Sequence, residues 1–173
     1  VRRIFYRADQ FRRAWGEIPS DEGMARAKAV LTPALFDLFT QLLPYEQAHS
    51  ISVFDQLVDQ GYSQPEFLMA ALLHDVGKSR FPLRPWQRVV GVLAQKLFPN
   101  RITQWGKGQP TGLLLGVVVA EQHAQWGAEL AKAAGAYESV TRLIANHQDP
   151  NFSQLSDEEG SFIIALQAVD KIS

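Results

Sequence analysis

The residues of this chain that could do chemistry are few. It has four histidines, His49, His74, His123 and His147, each within or at the edge of an apolar, helix-like stretch. One such histidine is ordinarily a core residue hydrogen-bonded to the backbone. Four of them, with none in the polar segments 99–112 and 151–157, suggest a shared role. His74-Asp75 is the most informative pair. Neighbours on a helix point about 100° apart. At a helix C-terminus, with Gly77 relaxing the backbone, both side chains can turn to one point. A carboxylate beside an imidazole suits a divalent transition metal, and a carboxylate can bridge two such ions. Asp170 closes the apolar run Leu166-Gln167-Ala168-Val169. An acid at the C-terminal end of a helix opposes the macrodipole, so it calls for a positive partner: a metal, or neighbouring Lys171.

Helices must position these residues, because the local signals are almost all helical. Thr32-Pro33 reads as an N-cap with Pro in the first turn, followed by the apolar face Leu35, Phe36, Leu38, Phe39, Leu42 and Leu43. A second helix is predicted from Tyr45 to Gln60, stopped at Gly61. Ser63-Gln64-Pro65-Glu66 reads as a capping box launching Phe67 to Asp75, with Gly77 as the stop. Trp86, Val89, Val90, Leu93 and Leu97 fall at amphipathic spacing behind Pro82 and Pro85. The segment Pro99 to Gly112 reads as a loop or lid, and most of Leu113 to Ala120 as buried helix, although its Val content would also suit a strand. Further helices are predicted over Gln125 to Ala134, ending at Gly135, over Glu138 to His147, stopped by Pro150, and from the capping box Ser156-Asp157-Glu158-Glu159 through Asp170. Roughly eight helices with short connections describe a compact all-α bundle. The candidate residues are separated by 25, 49, 24 and 23 positions, counting from His49 to His74, His123, His147 and Asp170. They therefore lie on different helices and can converge only in the bundle core.

His49, His74-Asp75 and Asp170 resemble the H…HD…D pattern of the HD-domain metal-dependent phosphohydrolases. Ala71-Leu72-Leu73-His74-Asp75-Val76-Gly77-Lys78 is similar to that family's central motif, and His49-Ser50 to its first-ligand motif. His123-Ala124-Gln125-Trp126-Gly127-Ala128-Glu129-Leu130 resembles an H-x-x-x-G-A-x-L segment of the two-metal subset. Ile144-Ala145-Asn146-His147 resembles the next ligand site, with Asn146 where a second histidine is common. The Gly-Tyr-Pro motif of the HD-GYP members, which include cyclic-di-GMP phosphodiesterases, is absent: Gln148-Asp149-Pro150-Asn151-Phe152 follows His147.

The resemblance implies a binuclear site. His49, His74, Asp75 and Asp170 would hold one divalent ion, and Asp75 would bridge to a second held by His123 and His147. Iron, manganese, nickel or zinc would serve. The implied reaction is hydrolysis of a phosphomonoester or phosphodiester, with a nucleotide as the expected substrate, by a metal-activated hydroxide. Lys78 resembles a phosphate-contacting lysine of the two-metal relatives; it also suits a plain helix-end lysine favoured by the dipole. Arg80 and Arg84 are the next candidates for substrate contact. Two other outcomes fit the same ligands: a non-hydrolytic metal-binding signalling module, and a di-iron oxygenase of the same superfamily.

Composition sets the remaining bounds. The chain has 173 residues and no cysteine, which excludes a disulfide scaffold, a Cys-ligated zinc or iron–sulfur site and a thiol nucleophile. Absence of cysteine fits a reducing compartment, so a cytoplasmic location is expected. Net charge is −1, which gives no reason to expect a nucleic-acid duplex as partner. The charges are unevenly placed, however. Val76 to Ala120 has no Asp or Glu and seven basic residues, including Lys78, Arg80, Arg84, Arg88 and Lys96, a segment that would attract a small phosphorylated substrate. Arg84, Arg88 and Lys96 beside the apolar face of 86–97 could also lie on an anionic membrane, although such a face is more often packed in a core. No stretch nears the ~20 apolar residues of a membrane-spanning helix. Residues 1–16, with Arg2, Arg3, Arg7, Arg12 and Arg13 against Asp9 alone, read as a basic arm or linker. The HD-type domain is expected over 17–173, with a C-terminus that reads as a truncation point.

Overall fold

The computed structural model describes residues 18–149, 151 and 155–171. The basic arm over 1–16 and Pro150 lie outside the described residues. Among those described there are nine α-helices and no strand: α1 (Asp21–Val30), α2 (Pro33–Phe39), α3 (Pro44–Asp59), α4 (Pro65–Leu73), α5 (Pro85–Leu97), α6 (Pro99–Gly106), α7 (Leu115–Ala133), α8 (Glu138–Asn146) and α9 (Asp157–Asp170). Two 3₁₀ turns, Val76–Arg80 and Gly112–Leu114, join them. Among the described residues no helix is long and apolar enough to cross a membrane.

Proline sets most helix starts. Pro33, Pro44, Pro65, Pro85 and Pro99 all sit in first turns, where the missing N–H costs nothing. Thr32 caps α2 as expected, accepting from Leu35 N at 3.4 Å. The box expected at Ser63 does not form: with Pro65 at the first helical position, Gln64 is the N-cap, and Ser63 lies one residue out of register. The box at Ser156 does form. Ser156 Oγ accepts from Glu159 N, and the Glu159 carboxylate accepts from Ser156 N at 2.9 Å.

One expectation about 97–115 changes. Pro99–Gly106 is helix α6, not part of a loop, and Gly106 packs so closely on α7 that a Cβ would sit 2.5 Å from the Glu121 side chain. Leu113 is exposed in a 3₁₀ turn, and burial begins at Gly116 and Val117.

One large core joins α1–α4 to α7, α8 and α9 through Phe39, Leu57, Leu72, Leu143, Ile144 and Phe162. Phe67 of α4 stacks on Phe162 of α9 with ring centroids 4.6 Å apart, and Tyr62 meets Phe162 edge-on. A stacked pair of this kind adds about 1 kcal/mol to the area it buries. A smaller cluster, Leu83, Val118, Val119 and Trp126, lies under the other side of α7. Helix α7 is thus the central element, packed on α8, α5, α6 and the 76–80 turn.

Glu159 ties α9 to α8. Its carboxylate accepts from Arg142 Nη2 at 2.6 Å and Arg142 Nε at 3.1 Å as well as from Ser156. Burial opposes its charge, but the Ser156 and Arg142 bonds outweigh that and hold its pKa below the usual value. A lowered folded-state pKa contributes stability above the unfolded value, about 4.3, and loses it as pH falls through the folded one. Glu159→Gln is expected to cost about 1 kcal/mol at neutral pH. The deficit should vanish in acid, which denaturant titrations of both proteins across pH would read.

Candidate metal centre

Helix ends bring most of the candidate ligands together. His74 is the C-cap of α4, His147 the C-cap of α8, and Asp170 the last residue of α9. His49 lies inside α3 and His123 inside α7. Carbonyls in the last turn of a helix lack intrahelical donors, and two of the histidines use them. His74 Nδ1 donates to Ala71 O at 2.8 Å, and His147 Nδ1 donates to Ile144 O at 2.7 Å. His123 Nδ1 donates to Val119 O at 2.9 Å, one turn back along α7. A carbonyl only accepts, so each Nδ1 carries a proton, and in its neutral form each ring turns a bare Nε2 lone pair inward.

Those three Nε2 atoms are buried and make no hydrogen bond. They face carboxylates. His123 Nε2 lies 3.1 Å from Asp75 Oδ1, and His74 Nε2 lies 3.6 Å from both Asp75 Oδ2 and Asp170 Oδ1. His49 Nε2 is 2.8 Å from Asp170 Oδ1 and 4.0 Å from Asp75 Oδ2. Two triads result, His49–His74–Asp170 and Asp75–His123–His147, each with its ligand atoms within 4.8 Å of one another. All six sequence-predicted ligands therefore converge. Asp75 turns Oδ2 toward the first triad and Oδ1 toward the second. Asp170 meets His49 and His74 rather than Lys171.

The donor set fits divalent metal. Lone pairs crowded against carboxylate oxygens need a cation between them, and a backbone-held Nδ1–H is the usual support of a metal-bound imidazole. The electrostatics agree. Burial pushes His147 down to about 3, aided by the neighbouring imidazoles of His74 and His123, so its lone pair is free at neutral pH. Burial opposes the Asp75 charge, but Lys78, then His74 and His123, hold that carboxyl well below its ordinary range. Asp170 is lowered likewise: burial is outweighed by the hydrogen bond with His49 and by the nearby His74 imidazole. Burial also opposes charge on His74, and Asp75 with Asp170 overcomes it, raising that pKa. A metal would displace the proton.

The centre opens on one side. The side chains of His74, Asp75 and His123 are at most 4% exposed, whereas those of His49, Lys78 and Asp170 are 23%, 24% and 34% exposed. Lys78 Nζ is bonded to Asp75 Oδ2, so it stands at that mouth. The other two expected substrate contacts are not brought to the ligands. Arg80 pairs with Glu129 at 3.1 Å and lies over Trp126, and Arg84 is the exposed N-cap of α5.

Gly77 acts differently from the expectation. Its φ is not positive, since among the described glycines only Gly61, Gly112 and Gly135 have positive φ. It is needed for space: a Cβ there would sit 1.9 Å from His123 O and 2.6 Å from Gly127 N. This backbone contact sets the 76–80 turn against α7 and Asp75 beside His123.

Two supports escaped the sequence reading. Gln167 Nε2 donates to His147 O at 3.0 Å and Asp149 O at 3.1 Å, fastening the end of α8 to α9. Its position one turn before Asp170 was the available signal. One turn before His49, Glu46 is buried, accepting from Leu43 N at 3.1 Å, from Tyr45 Oη at 3.2 Å and from Arg88 of α5. Arg88 also lies over the Tyr45 ring at 4.9 Å. The i, i+3 spacing of Glu46 and His49 puts them on one helix face, but nothing in the sequence pairs Arg88 with Glu46.

The chain is thus an α-helical bundle with two adjoining imidazole–carboxylate triads in its core, each of which could hold a metal ion. A profile of the HD domain matches residues 48–167, and the chain belongs to the HD domain family. Neither the curated proteins nor the solved structures give a match.

Proposed function

We propose that this chain is a metal-dependent phosphohydrolase that cleaves a phosphomonoester or phosphodiester, with a nucleotide as the substrate class. The observation that carries the reading is the set of three buried Nε2 lone pairs aimed at two carboxylates. His49, His74, Asp75 and Asp170 would hold one divalent ion, and His123 and His147, sharing Asp75, would hold a second. Bound there, the two ions supply an activated water and offset the charge on a phosphoryl group.

The chain's own residues do the rest. The backbone-held rings fix the ligand atoms before substrate arrives, as electrostatic preorganisation requires. Lys78, at the open side, exchanges its bond to Asp75 for a phosphate oxygen and stabilises developing negative charge. Arg80 and Arg84, on the acid-free segment, add to the field that draws a phosphorylated ligand in. The same reading places the enzyme in the cytoplasm.

The test is hydrolysis of nucleotides and cyclic nucleotides by protein loaded with manganese, iron, nickel or zinc. Lys78→Ala is expected to raise KM about tenfold with metal content unchanged, the loss of one charge-assisted bond of ~1.4 kcal/mol. Unchanged kinetics on every accepted substrate would remove Lys78 from the site. Oxygen consumption with iron and no hydrolysis would assign the same ligands to an oxygenase. Metal binding with neither activity would leave a signalling module.

A further inference from the structure

Helix α5 is built inside out relative to its sequence. At about 100° per residue, Trp86, Val89, Leu93 and Leu97 form one stripe, the stripe expected to pack in the core. The face that packs is instead the small one. Gly91 and Ala94 are buried against α7, where Gly91 meets Gly116 so closely that a Cβ on Gly116 would lie 2.3 Å from Gln87 O. The large residues are left outside: Trp86 is 46% exposed, Leu93 49% and Leu97 66%, and Phe98 continues the patch toward α6. Of eleven large apolar residues exposed among the described residues, seven lie between Trp86 and Leu113. The other four are scattered, and single exposed apolar residues need no explanation.

Within this segment the charge has one sign, and Glu121 of α7 lies against Gly106 at its far end. No Asp or Glu occurs from Val76 to Ala120. Arg80 and Arg88 are taken up by Glu129 and Glu46. Arg84, Lys96, Arg101 and Lys107 are exposed, and no described carboxylate pairs with them. A second copy of the same face would bring like charges together. The arm over 1–16 carries five arginines against one acid, so it too has the wrong sign. The complementary partner is negative, and it must accept a convex apolar stripe with a Trp at one end and flanking Lys and Arg. That is the composition of a helix lying in a lipid interface.

We propose that the α5–α6 face docks on an anionic lipid bilayer, with Trp86, Leu93 and Leu97 entering the headgroup boundary and Lys96, Arg101 and Lys107 meeting lipid phosphates. Such docking is independent of the metal chemistry and tethers the catalytic domain without a spanning helix.

Sedimentation of the full chain with vesicles tests it. Vesicles of equimolar phosphatidylcholine and phosphatidylglycerol should carry the protein down at low salt, and high salt should release it. Vesicles of phosphatidylcholine alone should hold several-fold less. Leu93→Glu with Leu97→Glu should lower partitioning about tenfold or more, and Lys96→Gln with Arg101→Gln about tenfold, each with wild-type circular dichroism. Equal binding to both vesicle types, or an undiminished Leu93→Glu/Leu97→Glu protein, overturns the proposal. So does a concentration-dependent dimer abolished by the same pair, or binding to polyglutamate in place of vesicles, which would give the face to a second copy or to an acidic protein.

Discussion

Protein carrying Asp75→Ala is expected to leave purification without metal while remaining folded. Asp75 is the one residue whose two oxygens face both triads, so its loss takes a ligand from each ion. The fold should tolerate the change. Lys78 is already 24% exposed and can turn to water, and the neighbouring imidazoles can stay neutral once no carboxylate draws a proton to them. Elemental analysis of wild type should give close to two metals per chain and of the variant close to none. Added metal should raise the thermal midpoint of wild type, since a ligand at about 100 times Kd stabilises by about 2.7 kcal/mol. The variant should not respond, and its hydrolytic activity should be lost. Full occupancy in Asp75→Ala would end the bridging assignment.

A single methyl group at Gly77 should do comparable damage by a different route. A Cβ at this position meets the backbone of α7 at 1.9 Å and 2.6 Å, and no rotamer change moves backbone aside. The 76–80 turn must withdraw by more than an ångström, carrying Asp75 from His123. Gly77→Ala is expected to cost about 3 kcal/mol and to weaken metal binding about 10- to 100-fold, the usual effect of disturbing what orients a ligand. Gly61→Ala is the comparison. Gly61 has φ of 95° with nothing within 4 Å of its Cβ position, so it should cost about 1 kcal/mol of backbone strain and leave metal affinity unchanged. Equal metal affinity in Gly77→Ala and wild type would refute the close-approach argument.

The contrast between these glycines also marks what a single sequence can reveal. Gly61 and Gly135 read correctly as stops because their role is local: a positive φ at a helix end. Gly77, Gly91 and Gly116 serve contacts between segments far apart in the chain, and periodicity carries no trace of them. The same limit explains α5, whose strong apolar stripe pointed to the wrong face because glycine and alanine count little in a hydrophobic pattern yet allow the closest backbone approach. Helix α1 is similar, since its buried residues are Gly23 and Ala27. The segment 99–112 was hidden by its Gly and Pro content, although Pro99 marks a helix start. The six ligand residues were legible because His and Asp are scarce in apolar helices. Gln167 and the Glu46–Arg88 pair were not, because long-range polar partners leave no spacing rule.

The imidazoles of His74, His123 and His147 are anchored to carbonyls three or four residues back in their own helices. Once each helix has formed, its ring has lost most of its rotational freedom. The side-chain entropy of assembling the centre is therefore spent during folding rather than at ligation. An arriving ion would meet three rings already in place, so little of its affinity would be lost to ordering them.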